Sequence, residues 1–265
     1  MFDIIKLSKL EYTEFAKFYI YGGIIMKIIK VKNYDEMSEE ALKVVLEVVK
    51  STPNAVLGLA TGSTPIGLYT KMAEDHRENG TSYAECRAVN LDEYVGLDIN
   101  SDQSYVYFMR ENLFKNIDIK PENTHIANGK ALDKDAECAR YNALLDELRQ
   151  DIQVLGIGSN GHIAFNEPGT PFDSFTHIVD LAESTIKDNS RLFNSIDEVP
   201  RQAFTMGLAN IMNAKKILIL ANGEGKAYAI NELVNGEIRE EIPASILRNH
   251  PDCILICDEL AGKYI

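Results

Sequence analysis

From Met26 to the C-terminus the chain alternates short apolar runs with longer amphipathic ones, and this alternation constrains the fold more than any other feature. Residues 27–31, 55–59, 87–91, 152–155, 216–221 and 253–257 read as strands, with a further strand around Ile178. Residues 36–50, 64–78, 103–114, 133–149, 200–212 and 225–235 read as helices, with a shorter one at 243–248. In 36–50, for example, Met37, Ala41, Val44, Val45 and Val48 form one apolar stripe at helical spacing. Helices between strands return the chain across a sheet, so consecutive strands run parallel and both faces are covered. The expectation is a single-domain α/β fold over residues 26–265: an open, mainly parallel sheet with helices on both faces, Rossmann-like in layout. No repeat, low-complexity tract or Pro/Gly-rich linker divides it.

Residues 1–25 stand apart. They are aromatic and mixed in charge, with Asp3, Lys6, Lys9, Glu11, Glu14 and Lys17 spread through them. They hold neither a membrane-length apolar stretch nor the order of regions that marks a signal peptide. Met26 opens a clean strand, so 1–25 is read as an N-terminal extension outside the core; a short amphipathic helix is the alternative. The net charge of -13 and pI of about 4.9 argue against a nucleic-acid or membrane-surface binder. Four scattered cysteines without a CxxC pair read as reduced core thiols of a cytoplasmic protein and not as a metal site.

The chemistry-bearing residues fall at four strand ends. After the 152–155 strand comes LGIGSNGHIAFNEPG (155–169), which concentrates His162, Glu167, Asn160 and Asn166 in a glycine-rich turn. His and Glu are proton-transfer residues near neutral pH. Gly156 to Gly161 also fits G-x-G-x-x-G, with Asp180 downstream, but Asn166-Glu167-Pro168-Gly169 is a turn sequence, so no long helix follows and no dinucleotide site is expected. After the 55–59 strand comes Thr61-Gly62-Ser63-Thr64-Pro65. Gly62 admits a close backbone approach, Ser63 and Thr64 offer hydroxyls and a helix cap, and Pro65 suits the first helical position. Such a junction either binds phosphate through free N–H groups or is a well-capped helix start that binds nothing; the strand–Gly–Ser–Thr–Pro–helix order, more than a cap needs, favours phosphate. After the 87–91 strand come Asp92 and Glu93, either solvated turn residues or a general base with a neighbour. Lys226 follows the 216–221 strand, and Arg191 lies between the Ile178 strand and the 200–212 helix; both are surface charges or phosphate cations.

TGSTP, LDEY, NGHIAFNEPG and GEGKA together, in this order from Met26 onward, resemble the glucosamine-6-phosphate deaminase family. GHIAFNEP is the most specific string. The related 6-phosphogluconolactonases share the phosphate loop and a GxDGH turn but continue differently after the His. The resemblance implies conversion of glucosamine 6-phosphate to fructose 6-phosphate and ammonia, with no metal and no organic cofactor. It implies Asp92 as the base that moves a proton between C2 and C1. It implies His162 as the group that handles the ring-oxygen proton, and Glu167 as the carboxylate that orients it. Gly62, Ser63 and Thr64 would form the phosphate loop, with Arg191 and Lys226 as its cations. Partners beyond this small-molecule substrate are not implied, although the family is compatible with a homo-oligomer.

Two departures from the family pattern matter. Many members carry Asp where this chain has Asn160; an amide only hydrogen-bonds, which leaves Glu167 as the main charged partner of His162. Allosteric relatives carry a basic pair where this chain has His177 and Val179, so the same effector site is not expected. The competing readings are a sugar-lactone hydrolase of the same fold and a non-enzymatic sugar-phosphate sensor. The sensor would normally add a DNA-binding helix-turn-helix, which residues 1–25 are too short and too weakly basic to supply.

Overall fold

The computed structural model describes residues 16–21, 24–181, 186, 195 and 198–265. With strands numbered in chain order, its main sheet has eight strands: β1 (Ala16–Tyr21), β2 (Ile24–Val31), β11 (Cys253–Asp258), β10 (Ile217–Ala221), β7 (Ile152–Leu155), β3 (Val56–Leu59), β4 (Arg87–Asn90) and β6 (Thr124–His125), in this spatial order. From β2 to β6 every neighbour pair is parallel. A smaller antiparallel sheet, not foreseen from the sequence, is built from β5 (Asp92–Tyr94), β9 (Gln202–Thr205) and β8 (His177–Asp180).

Helices cover both faces of the main sheet. Helices α1 (Tyr34–Ser51), α2 (Ile66–Asn79) and α3 (Tyr105–Asn112) pack on one side, and α4 (Lys134–Glu147), α5 (Leu208–Met212) and α6 (Ala227–Asn235) on the other. The two-residue period of a strand divides each central strand between these layers. On β10, Leu218 and Leu220 meet α1, whereas Ile217, Ile219 and Ala221 join the opposite core. On β11, Ile254 and Ile256 face one way and Cys253, Leu255 and Cys257 the other. All four cysteines are buried and free. Among the described residues no helix is long and apolar enough to cross a membrane.

Two expectations need correction. Residues 200–212 are not one helix: they form β9 and then, after Gly207, the short α5. Phe204 and Thr205 suit a strand, and pairing with β5 and β8 overrides the helical pattern. A Cβ on Gly207 would lie 2.2–2.4 Å from the Ser174 and Phe175 main chain, so the chain passes there only as glycine. The helix expected from Thr64 starts at Ile66 and has no side-chain cap of its own. Its Gly67 N–H donates instead to the Tyr34 hydroxyl at 2.7 Å, and that hydroxyl donates to the Ser63 carbonyl at 2.9 Å. The cap comes from α1, which frees the Thr64 hydroxyl to donate to Asn222 Oδ1 at 3.3 Å.

Residues 16–21 fall within the segment that the sequence sets apart. They pair antiparallel with β2, from Ala16 opposite Ile29 to Tyr21 opposite Ile24, and form the edge at the far end of the sheet from β4 and β6. Deleting residues 1–23 is expected to leave activity unchanged but to expose the edge groups of β2 to pairing with a second copy. Specific activity, melting temperature and sedimentation velocity at several concentrations check this; lost activity would mean that the segment supports the site.

Candidate active site

The chain moves from β3 outward to β4 and β6 on one side, and from β7 outward to β10 and β11 on the other. Loops leaving β3 and β7 therefore diverge and open a crevice at the carboxyl ends of the strands, where open α/β sheets bind ligands. A cavity of about 350 Å³ lies there and is lined by Gly62, Ser63, Thr64, Asp92, His162 and Lys226 among others. The four strand-end motifs, far apart in sequence, thus meet at one place. Asn160 and Glu167 contact His162 rather than line the cavity. Arg191 lies outside the described residues. Among the described residues, no three His, Cys, Asp or Glu side chains gather as a metal site would require.

Asp92 sits where the chain leaves the main sheet for the small one. The preceding Leu91 N–H still donates to Leu59 O at 3.2 Å, while Asp92 already pairs with Thr205 on β9. Both sheets cover it, and it is 7% exposed. Its Oδ1 has no hydrogen-bond partner. Burial first, and the neighbouring Glu93 charge second, push its carboxyl up to about 8. A carboxylate whose pKa lies this close to neutral is able to take and return a proton near neutral pH.

His162 is held by its own loop. Asn160 Oδ1 accepts the His162 main-chain N–H at 3.2 Å, and Asn160 Nδ2 donates to Glu167 Oε2 at 2.8 Å. Glu167 Oε1 lies 3.3 Å from His162 Nδ1. Nδ1 is buried, so Nε2 is the ring nitrogen left to serve the cavity. The imidazole and the Asn160 amide hold the Glu167 carboxyl below the usual range. The Asn160 amide thus bridges the other two residues, a role open to a group that cannot ionise.

The backbone around this triad is tightly specified. A Cβ on Gly158 would fall 2.3–2.5 Å from three atoms of the His162 ring. Ala164, at φ 53°, is the one non-glycine in the left-handed region among the described residues. Such a conformation costs about 1–2 kcal/mol and is retained where surrounding contacts fix it. Here Phe165 N–H donates to Thr205 Oγ1 at 3.2 Å, and buried Asn166 Nδ2 donates to Ile163 O at 2.9 Å and Met206 O at 2.8 Å. Tight turns, not a helix, follow the G-x-G-x-x-G pattern.

The opposite wall suits an anion. Gly62 takes φ +93°, and the loop around it leaves Gly62 and Ser63 exposed. Half-buried Lys226 shares the cavity, and burial alone lowers its ammonium pKa. Its loop is anchored by Asp258, whose two carboxylate oxygens accept the Gly223 N–H at 3.0 and 2.9 Å. The sequence reading missed an aromatic wall. Tyr105 and Phe165 line the cavity with near-parallel rings, 9° apart, and Tyr94 packs 4.8 Å from Tyr105 between ring centroids. The SYVYFM segment carries no motif that would single out Tyr105. His177 and Val179 lie on β8, with His177 Nδ1 2.8 Å from Phe175 O.

A family model described as glucosamine-6-phosphate isomerases/6-phosphogluconolactonase matches residues 31–255. The chain belongs to this family. It is 50% identical over 235 residues to a glucosamine-6-phosphate deaminase of Geobacillus sp., covering 88% of this chain and 94% of that one. It is 49% identical over 241 residues to a glucosamine-6-phosphate deaminase of Clostridium perfringens, covering 91% and 100%. Among solved structures it superposes on one described as a monomeric glucosamine-6-phosphate deaminase with a TM-score of 0.87 and 45% identity, covering 90% and 99%. A 6-phosphogluconolactonase from Trypanosoma cruzi shares the fold at a TM-score of 0.73 and 18% identity, covering 90% and 96%.

Two substitutions test this geometry. Gly158→Ala is expected to displace the imidazole and lower kcat by about a hundredfold, the usual cost of a misplacement near 1 Å; steady-state kinetics on a variant of near-native melting temperature decide it. Asp92→Asn is expected to stabilise the chain. The folded carboxyl titrates near 8 and the ordinary one at 3.8. The folded state therefore holds a proton that the unfolded state releases, and stability is lost as pH rises between these values. The variant should melt at about the wild-type temperature near pH 4 and above it at pH 8, by about 2–4 °C per kcal/mol recovered.

Proposed function

We propose that this chain converts glucosamine 6-phosphate and water to fructose 6-phosphate and ammonia. The observation that carries the reading is a buried, high-pKa Asp92 in the same cavity as a carboxylate-held His162 and a phosphate-type loop with Lys226. Identity of 48–50% to deaminases of this name supports it.

Each part of the site answers one requirement of that reaction. Opening the sugar ring needs a proton moved at the ring oxygen, which suits His162 Nε2 with Glu167 and Asn160 fixing the imidazole. The open chain then presents a C–H at C2 beside the C1 aldehyde. Asp92 takes the C2 proton while the C1 oxygen gains a proton, which gives an enolamine. Return of the first proton to C1 leaves a C2 iminium, and its hydrolysis by water gives the ketone and ammonia and releases the second proton. A base with a pKa near 8 takes such a proton with more driving force than an ordinary carboxylate and still gives it back. The phosphate is bound at the Gly62–Thr64 loop by main-chain N–H groups, with Lys226 and Arg191 as cations.

Release of ammonia from glucosamine 6-phosphate is the direct test; no release under saturating substrate would sink the reading. Lys226→Ala is expected to raise KM roughly tenfold to a hundredfold with a smaller change in kcat, because a charged hydrogen bond to a non-reacting group contributes about 1.5–3 kcal/mol. A kcat loss at unchanged KM would place Lys226 at the reacting end.

A further inference from the structure

Glu93 follows Asp92 on β5 but takes no part in lining the cavity. It is 2% exposed. Three main-chain N–H groups converge on it: those of Tyr94 and Tyr105 donate to Oε1 at 2.8 and 3.0 Å, and that of Val106 donates to Oε2 at 3.1 Å. Tyr105 and Val106 open α3, and the Ser104 hydroxyl that caps the helix accepts from Tyr107 N–H at 3.0 Å. Glu93 thus completes the cap from another element, and the positive end of α3 takes the place of a counter-cation. Tyr105, the residue so fixed, is also the one whose ring walls the cavity against Phe165.

Other titratable groups face Asp92 as well. Tyr94 on β5, Tyr105 on α3, Tyr69 on α2 and Tyr141 on α4 all have hydroxyls pushed upward by burial, so they are neutral at working pH. His162 and Lys226 share the cavity and bring positive charge when protonated. Among these groups Glu93 is the carboxylate whose charge acts on Asp92; burial raises its own carboxyl, and the N–H groups of Tyr105, Val106 and Tyr94 oppose that rise and favour the ionised form.

We infer that Glu93 is a positioning residue for proton transfer: it pins the first turn of α3 so that Tyr105 walls the cavity beside Asp92, and its buried negative charge sets the field in which Asp92 takes up a proton. This rests on the reading of Asp92 as the base. It gives the adjacent carboxylates opposite tasks, one facing the cavity and one facing a helix end.

Glu93→Gln keeps the side-chain shape and the Oε1 acceptor while removing the charge. In the pH profile of kcat/KM for ammonia release, the acidic limb of the variant is expected about one unit below that of the wild type, the size of effect that a neighbouring like charge produces. A limb at unchanged pH would overturn the inference. A lower melting temperature alone would not support it, because any capping role predicts that. A substrate-free measurement separates this inference from the reaction itself. The Asp92 carboxyl carbon, assigned in NMR by its loss in Asp92→Asn, should titrate at lower pH in Glu93→Gln than in the wild type; equal titration would overturn the inference even if the enzyme turns over. If the wild type releases no ammonia, the reaction reading fails while this titration still decides the role of Glu93. Should Glu93→Gln not fold, the wild type suffices. Glu93 must titrate at lower pH than Asp92, and the reverse order would overturn the inference.

Discussion

The reversal of strand order between β3 and β7 is the constraint on which the rest of the site depends. It separates two loops that would otherwise pack together at the carboxyl ends of the strands. Strand-end main-chain groups then need partners, because a buried group left unpaired costs about 1–3 kcal/mol. Two buried tyrosines supply them. The Tyr69 hydroxyl donates to Ala60 O at 2.6 Å and accepts from Ala60 N–H at 3.2 Å. The Tyr141 hydroxyl donates to Asn90 O at 2.6 Å and accepts from Asn90 N–H at 3.1 Å. The first residue beyond β3 and the last of β4 are clasped in the same way from opposite faces, so the loops that carry the chemistry start from rigid points.

The small sheet explains why Asp92 and Glu167 behave as different acids. Asp92 lies on the seam between the sheets, where Met206 N–H reaches Leu91 O at 2.7 Å and no donor reaches Asp92 Oδ1. Burial dominates, and the carboxyl rises. Glu167 lies on a partly open loop against an imidazole and an amide, and its carboxyl falls. Asp92 in the cavity and Glu167 behind His162 are thereby pushed apart in proton affinity by environment, which suits two carboxylates to different acid–base roles. The burial that makes Asp92 a stronger base also costs the chain stability above the ordinary carboxylate range, a common trade at active sites.

Much of this was legible in the residues. The strand–helix alternation marked the parallel sheet, and each strand end that carried Gly, Asp, His or Lys in the sequence reaches the same crevice. What escaped the sequence is long-range. Residues 202–205 resemble part of a helix until β5 and β8 offer them strand partners. Tyr34 looks like an ordinary first-turn residue of α1, yet its hydroxyl holds the start of α2 and the Ser63 carbonyl. Tyr105 and Phe165 are unmarked aromatics until α3 and the His162 loop bring their rings parallel.

The sequence by itself determined the period-two and helical patterns, the glycines that permit close approach, and the order of the acid, base and cation types, because these depend on residues within one turn or strand of each other. Tertiary structure alone decided which carboxylate is buried and which is held by an imidazole. Desolvation and field depend on everything packed around a group, and for Asp92 that means two sheets and tyrosines from helices distant in the chain. Glu93 shows the division most plainly: beside Asp92 in the sequence it reads as a twin, and only the first turn of α3, laid against its carboxylate, gives it a separate task.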